Sequence, residues 1–185
     1  LDDLIRDADV LMEGMRPGVA EKLGLSPDRC LGLNPRLVYA RITGWGQDGP
    51  MALRAGHDIN YIALSGALLS MGDADRPPPV PLNLLGDYAG GGMFVALGIV
   101  SALLEAQRSG HGQVIDGAMI DGVASLTAAT MGMLASGQWG GRASNVLDGG
   151  APYYRTYATR DGGFVAVGAI EPQFYSELLG RVKLS

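Results

Sequence analysis

The 185-residue chain has little of what several large classes of protein need. Its single cysteine, Cys30, cannot form an internal disulfide, which suits a reducing compartment. It holds two histidines, His57 and His111, and no His, Cys or carboxylate cluster with metal-ligand spacing, so no metal site is expected. Lys plus Arg number 14 against 19 for Asp plus Glu, a formal net charge of −5 that argues against a nucleic-acid surface. Any anionic ligand must be met by local basic groups. Charged residues make up 18% of the chain and apolar ones 47%, a balance for a packed core rather than a disordered segment. No charged start followed by an apolar run marks a secretion signal. The most apolar stretch, Met93 to Leu104, is too short to span a bilayer and is interrupted by Gly98 and Ser101, so it reads as a buried helix.

Glycine, in contrast, is plentiful, with 29 residues, and together with proline it punctuates the chain. A helical end at 1–7 precedes a short strand at 8–13, a helix after Pro17, a second helix capped by Ser26, and a strand at 37–42. Strand and helix alternating at this spacing predict a parallel α/β sheet with ligands at the carboxyl ends of its strands. Gly44-Trp45-Gly46-Gln47-Asp48-Gly49 matches a dinucleotide fingerprint letter for letter. Pro50 and Gly56 leave barely one turn for the helix that fingerprint requires, so the segment reads as a tight active-site loop. A long helix is expected from about Asp87 to Gly110, with Asp87 as its N-cap and Val95, Leu97, Ile99 and Leu103 as its core face. The glycines at 90–92 suit a close approach by another backbone or a ligand. A strand at 113–117 and an apolar helix at 119–136 follow, and then a glycine-rich connection. Beyond it, Tyr153 to Thr159, the turn Arg160-Asp161-Gly162-Gly163 and Phe164 to Gly168 form a hairpin, and Glu171-Pro172 opens a final helix.

Three side chains stand out for acid/base chemistry: His57 in Gly-His-Asp-Ile-Asn-Tyr, Asp87 at the mouth of the long helix, and Glu171 after the last strand. Each also has a plain structural reading, His57 as a hydrogen-bonded turn residue, Asp87 as a helix cap and Glu171 as helix punctuation. His111, in Gly-His-Gly, reads as a surface turn residue.

Four segments (56–61, 81–92, 147–154 and 167–175) resemble, in order, the family III CoA-transferase superfamily, and within it the racemases that act on 2-methylacyl-CoA thioesters. The resemblance implies a Rossmann-like large domain, of which 1–118 is part, a linker helix and glycine-rich connection over 119–149, and the start of a smaller α+β domain at 150–185. It implies proton abstraction next to the thioester carbonyl, an enolate, and reprotonation, with His57 and Asp87 as the two bases and Glu171 orienting the imidazole. Amides at the helix start near Asp87 are expected to hold the enolate oxygen. Gly14, Met15, Arg16, Lys22 and the run Gly56, His57, Asp58, Ile59, Asn60 and Tyr61 correspond to CoA contacts, and Asn83 and Tyr154 to the acyl pocket. No cofactor is implied beyond the CoA of the substrate. The partner is an acyl-CoA thioester, in fatty-acid metabolism, with no nucleic acid or membrane and with an interlocked homodimer. The location would be cytoplasmic for a bacterial protein, or peroxisomal or mitochondrial for a eukaryotic one. The alternatives are a CoA-transferase with Asp87 as nucleophile and a non-catalytic CoA-binding module. Both ends of the chain fall in helical patterns, so it reads as the middle of a longer protein, with apolar faces left uncovered.

Overall fold

The computed structural model describes residues 1–184, which divide into two units. The first comprises Leu1–Ala67 and Val80–Ala128. Its elements are α1 (Asp2–Asp7), β1 (Val10–Glu13), α2 (Val19–Lys22), α3 (Pro27–Leu33), β2 (Val38–Thr43), α4 (Asp58–Leu64), a π-helical segment (Leu84–Met93) that runs into α5 (Phe94–Ser109), β3 (Val114–Ala118) and α6 (Met119–Leu126). The three strands form a parallel sheet in the order β1-β2-β3, with Val10 opposite Val38 and Tyr39 opposite Val114.

β2 is central and its first half is accordingly apolar on both faces: Val38, Tyr39 and Ala40, with Leu37 just before them, are fully buried. Leu37 and Tyr39 pack with Ile5 and Cys30 on one face, and the Tyr39 hydroxyl donates to the Leu25 carbonyl at 2.6 Å. As expected, Ser26 caps α3, its hydroxyl accepting from the Arg29 amide. Where β2 leaves the core it carries Arg41, whose Nε donates to Glu13 of β1 at 2.8 Å and whose Nη1 reaches Glu21 of α2 at 2.9 Å. Both Arg41 and Glu13 are buried, so each charge is stable there only because the other is present. The second Glu13 oxygen accepts from the Met15 amide at 2.7 Å, which fixes the turn leaving β1.

The long helix differs from its sequence pattern in two ways. Its helical conformation begins at Leu84 with Asn83 as N-cap, so Asp87 lies in the first turn rather than at the cap. Its core face is Val95, Ala102 and Ala106, with Gly98 against Ile115, while Leu97 is exposed. The small residues let α5 lie close on the sheet, and the larger ones (Met93, Leu97, Val100, Leu104) form an exposed apolar stripe. Leu84–Ser109 spans 26 residues, enough by length and apolarity to cross a membrane, so the short stretch expected from sequence is corrected; its inner face lies on β2 and β3. The expected close backbone approach at the glycine run is α6. A Cβ added at Gly122 would stand 1.9 Å from the Gly90 carbonyl oxygen.

The second unit comprises Leu68–Pro79 and Ala129–Ser185. The single helix expected at 119–136 breaks at Thr127, whose hydroxyl bonds back to the Val123 and Ala124 carbonyls, and α7 (Ala128–Ala135) begins anew. The expected hairpin is β4 (Tyr154–Ala158) against β5 (Phe164–Gly168), antiparallel with Tyr157 opposite Val165, followed by α8 (Pro172–Arg181). Tyr153 and Tyr175 meet edge to face at 5.5 Å, and Arg142 ties down the loop at 68–79 by donating to the Ala74 and Arg76 carbonyls.

Candidate active site

In the first unit Gly14, Met15, Arg16, Gly56, His57 and Tyr61, of the residues singled out from sequence, gather at the carboxyl ends of β1 and β2, the edge at which parallel α/β sheets bind ligands. A cavity of about 310 Å³ lies there, and Asp87, Asp58 and Asn83 do not border it. Gly14, Met15 and Arg16 border it after β1, Gly44 and Trp45 after β2, and Arg54, Gly56, His57 and Tyr61 around the start of α4. The Gly44–Gly49 segment opens no helix; it is a loop whose Trp45 ring meets the Tyr61 ring edge to face at 4.7 Å. Gly44 has to be glycine, because a Cβ there would stand 2.1 Å from the Tyr61 ring.

His57 is the N-cap of α4, in an extended conformation, and its amide donates to the Asn60 side chain at 3.0 Å. The imidazole is exposed at the cavity wall. Asp58, the next residue, is 4% exposed, and its Oδ2 accepts from the amides of Gly86 and Asp87 at 2.6 and 2.7 Å. These are the amides that the sequence pattern assigns to the enolate oxygen. They are already taken, so that donor assignment is corrected. Asp87 follows in the first turn of the π-helical segment, half-buried, with its Oδ2 accepting from the Asn83 amide group at 3.3 Å. Tyr61 lies close enough that, after burial, the Asp87 and Asp58 carboxylates are what push its hydroxyl above the ordinary tyrosine value.

The other expected residues are placed as follows. Ile59 and Asn60 are exposed on the first turn of α4, and Lys22 is exposed at the end of α2 and does not border the cavity. Asn83 touches Asp87 as described. Tyr154 and Glu171 belong to the second unit. Tyr154 borders a cavity of about 560 Å³ there, with Asp73, Asp148 and Arg155. Burial works against the Asp148 charge, but donors from Asn145 outweigh it and hold the carboxyl below its usual range. Glu171 is the exposed N-cap of α8, and its carbonyl accepts from the Phe174 and Tyr175 amides.

Sequence reasoning missed Arg54. An arginine three residues before the histidine carries no motif signal, and only the fold of the 44–56 loop brings it to the same cavity as Arg16. Among the described residues no group of three His, Cys, Asp or Glu side chains could hold a metal ion.

Residues 1–184 match CoA-transferase family III. The chain belongs to that family. It is 55% identical over 173 residues to the alpha-methylacyl-CoA racemase of Mus musculus, an alignment covering 93% of this chain and 45% of that protein. It is 52% identical over 177 residues to the Homo sapiens alpha-methylacyl-CoA racemase, covering 95% and 46%. A CAIB/BAIF family protein from Brucella suis has the same fold, with a TM-score of 0.80 at 30% identity over 99% of this chain and 48% of that one. The family III chain thus spans about half the length of the relatives it matches.

Proposed function

We propose that the protein interconverts (2R)- and (2S)-2-methylacyl-CoA thioesters, with His57 and Asp87 as its two acid/base groups and no cofactor. The observation that carries this reading is the direct link between the two: the residue after His57 holds the amide of Asp87 at 2.7 Å, beside a cavity bordered by two arginines. The identity to racemases of two mammals supports it. In one direction neutral His57 takes the α-proton, leaving an enolate and an imidazolium, and protonated Asp87 delivers a proton to the opposite face. In the other direction Asp87 is the base and imidazolium the acid. Arg16 and Arg54 hold the CoA phosphates. Asn83 borders the acyl group, and the whole protein works as a homodimer.

One feature favours a second reading. The only hydrogen bond to the Asp87 carboxylate among the described residues is the long one from Asn83, which leaves it available as the nucleophile of a CoA-transferase. Incubating one pure epimer in deuterated buffer with full-length protein separates the two. The racemase reading expects label at the α-carbon and inversion, with His57→Ala abolishing exchange from one epimer and Asp87→Asn from the other, each by about 10²- to 10⁴-fold. Transfer of CoA to a second acid, without label and with hydroxylamine trapping Asp87, overturns it. CoA binding with neither reaction leaves only a binding module.

A further inference from the structure

We infer that the Asp58 carboxylate is a positioning residue that sets His57 and Asp87 at a fixed separation, and that it does not contact CoA. The inference rests on the racemase reading for its catalytic consequence and on geometry for its contacts. Asp58 is the first residue of α4, directly after His57, and its side chain faces away from solvent. A carboxylate so buried is costly unless its charge is met. Here two amides from a segment 28 and 29 residues further on meet it at one oxygen, at the amino end of a helix, where a negative charge is favoured. The other oxygen, Oδ1, is buried without a partner, so the side chain is held by those two bonds alone.

The fit is mutual. A Cβ at Gly86 would stand 2.8 Å from Asp58 Oδ2 and 3.2 Å from Asp58 Cα, so glycine is what lets the Asp87 amide reach the carboxylate. An ordinary helix cap comes from the residue just before its helix, and Asn83 already occupies that place. Asp58 is therefore a strut between two helix starts, each carrying one of the acid/base groups. Displacing a reacting group by about 1 Å costs about 10²-fold in rate, which is what such a strut prevents.

The test uses the full-length protein. Asp58→Ala should lower kcat for α-proton exchange about 10²-fold in both directions, while KM and the Kd for CoA stay within about threefold. Asp58→Asn, whose amide oxygen still accepts from both amides, should restore most of that loss. Gly86→Ala should reproduce the loss from the other side and, combined with Asp58→Ala, add little. A rise in Kd for CoA with kcat unchanged would overturn the inference in favour of a CoA contact, and a fall in melting temperature with kcat unchanged would reduce Asp58 to a structural cap. Hydrogen exchange keeps the inference separate from the racemase reading. The Gly86 and Asp87 amides should be protected in the parent and lose protection in Asp58→Ala, whatever reaction the protein performs. Unprotected amides in the parent would overturn the strut, whereas an inactive parent with protected amides would overturn only the racemase reading.

Discussion

The two units solve the problem of holding a chain together in different ways. The first hides the run from Leu37 to Ala40, an arginine–glutamate pair and the Asp58 carboxylate, and it brings helices together at glycines until their backbones touch. The second relies on turns. Its hairpin is exposed along nearly its whole length, Phe164 is 82% exposed, and Ala151 is the only buried apolar residue among those described there. Its order comes from the Asp148 cluster, the Tyr153–Tyr175 pair and the Tyr157 hydroxyl donating to the Pro152 carbonyl at 2.6 Å. The proposed acid/base pair, His57 and Asp87, and the cavity with two arginines sit in the unit that can hold atoms in place. This is where precision costs most and matters most.

Glycine substitutions test the comparison with the largest effect. In the first unit, Gly122→Ala drives a Cβ to within 1.9 Å of the Gly90 carbonyl oxygen, where only backbone can give way, and should destabilise by about 3 kcal/mol. In the second, Gly132 lies within α7 with nothing within 4 Å of an added Cβ, so Gly132→Ala should stabilise by up to about 1 kcal/mol. Denaturant unfolding of the two variants should move in opposite directions. Equal losses would mean that the second unit is packed as tightly as the first.

The same contrast explains what could be read in the sequence. The parallel sheet was legible because short strands alternate with short helices between turn signals, and the hairpin because Arg160-Asp161-Gly162-Gly163 separates two strand-like segments. The core face of α5 was legible in part: Val95 is buried and Ile99 and Leu103 are half-buried, but Leu97 is exposed. Periodicity favours large apolar residues such as Leu97, whereas close packing on the sheet selected Ala102, Ala106 and Gly98. At the site, Arg16, His57, Asp58 and Asp87 were legible as types, but their partners and Arg54 were not. Asp58 is spent on amides 28 and 29 residues away, and Arg54 reaches the cavity through a loop whose path depends on Trp45 packing against Tyr61.

A smaller effect asks which unit binds the anionic end of the ligand. If the first unit does, Arg54→Ala should raise the Kd for CoA about tenfold, the weight of a charge-assisted hydrogen bond, and should leave the Kd for pantetheine, which lacks the phosphates of CoA, unchanged. Tyr154→Ala in the second unit should leave the Kd for CoA itself unchanged. Titration calorimetry with the two ligands reads both, and a larger loss from Tyr154→Ala would move the anion site to the second unit.

The smallest effect lies in the core of the first unit, and its pH dependence appears only in alkali. Burial, aided by the Glu13 carboxylate, pushes the Tyr39 hydroxyl up to about 12. Because the folded protein keeps this proton more tightly than the unfolded chain, Tyr39 contributes stability that is complete below the ordinary tyrosine value near 10 and is lost as pH rises through about 12. The chain has two tryptophans, Trp45 in the first unit and Trp139 in the second, so Trp139→Phe leaves a fluorescence signal from the first unit alone. In that background, denaturant midpoints should fall between pH 10 and 12, and Tyr39→Phe should flatten the fall while lowering the midpoint at pH 8. That loss at pH 8 should be about 1 kcal/mol, since the half-buried Leu25 carbonyl loses its donor. If the alkaline fall survives Tyr39→Phe, the groups responsible lie outside the β2 core, and the first unit is less tightly sealed than its buried strand suggests.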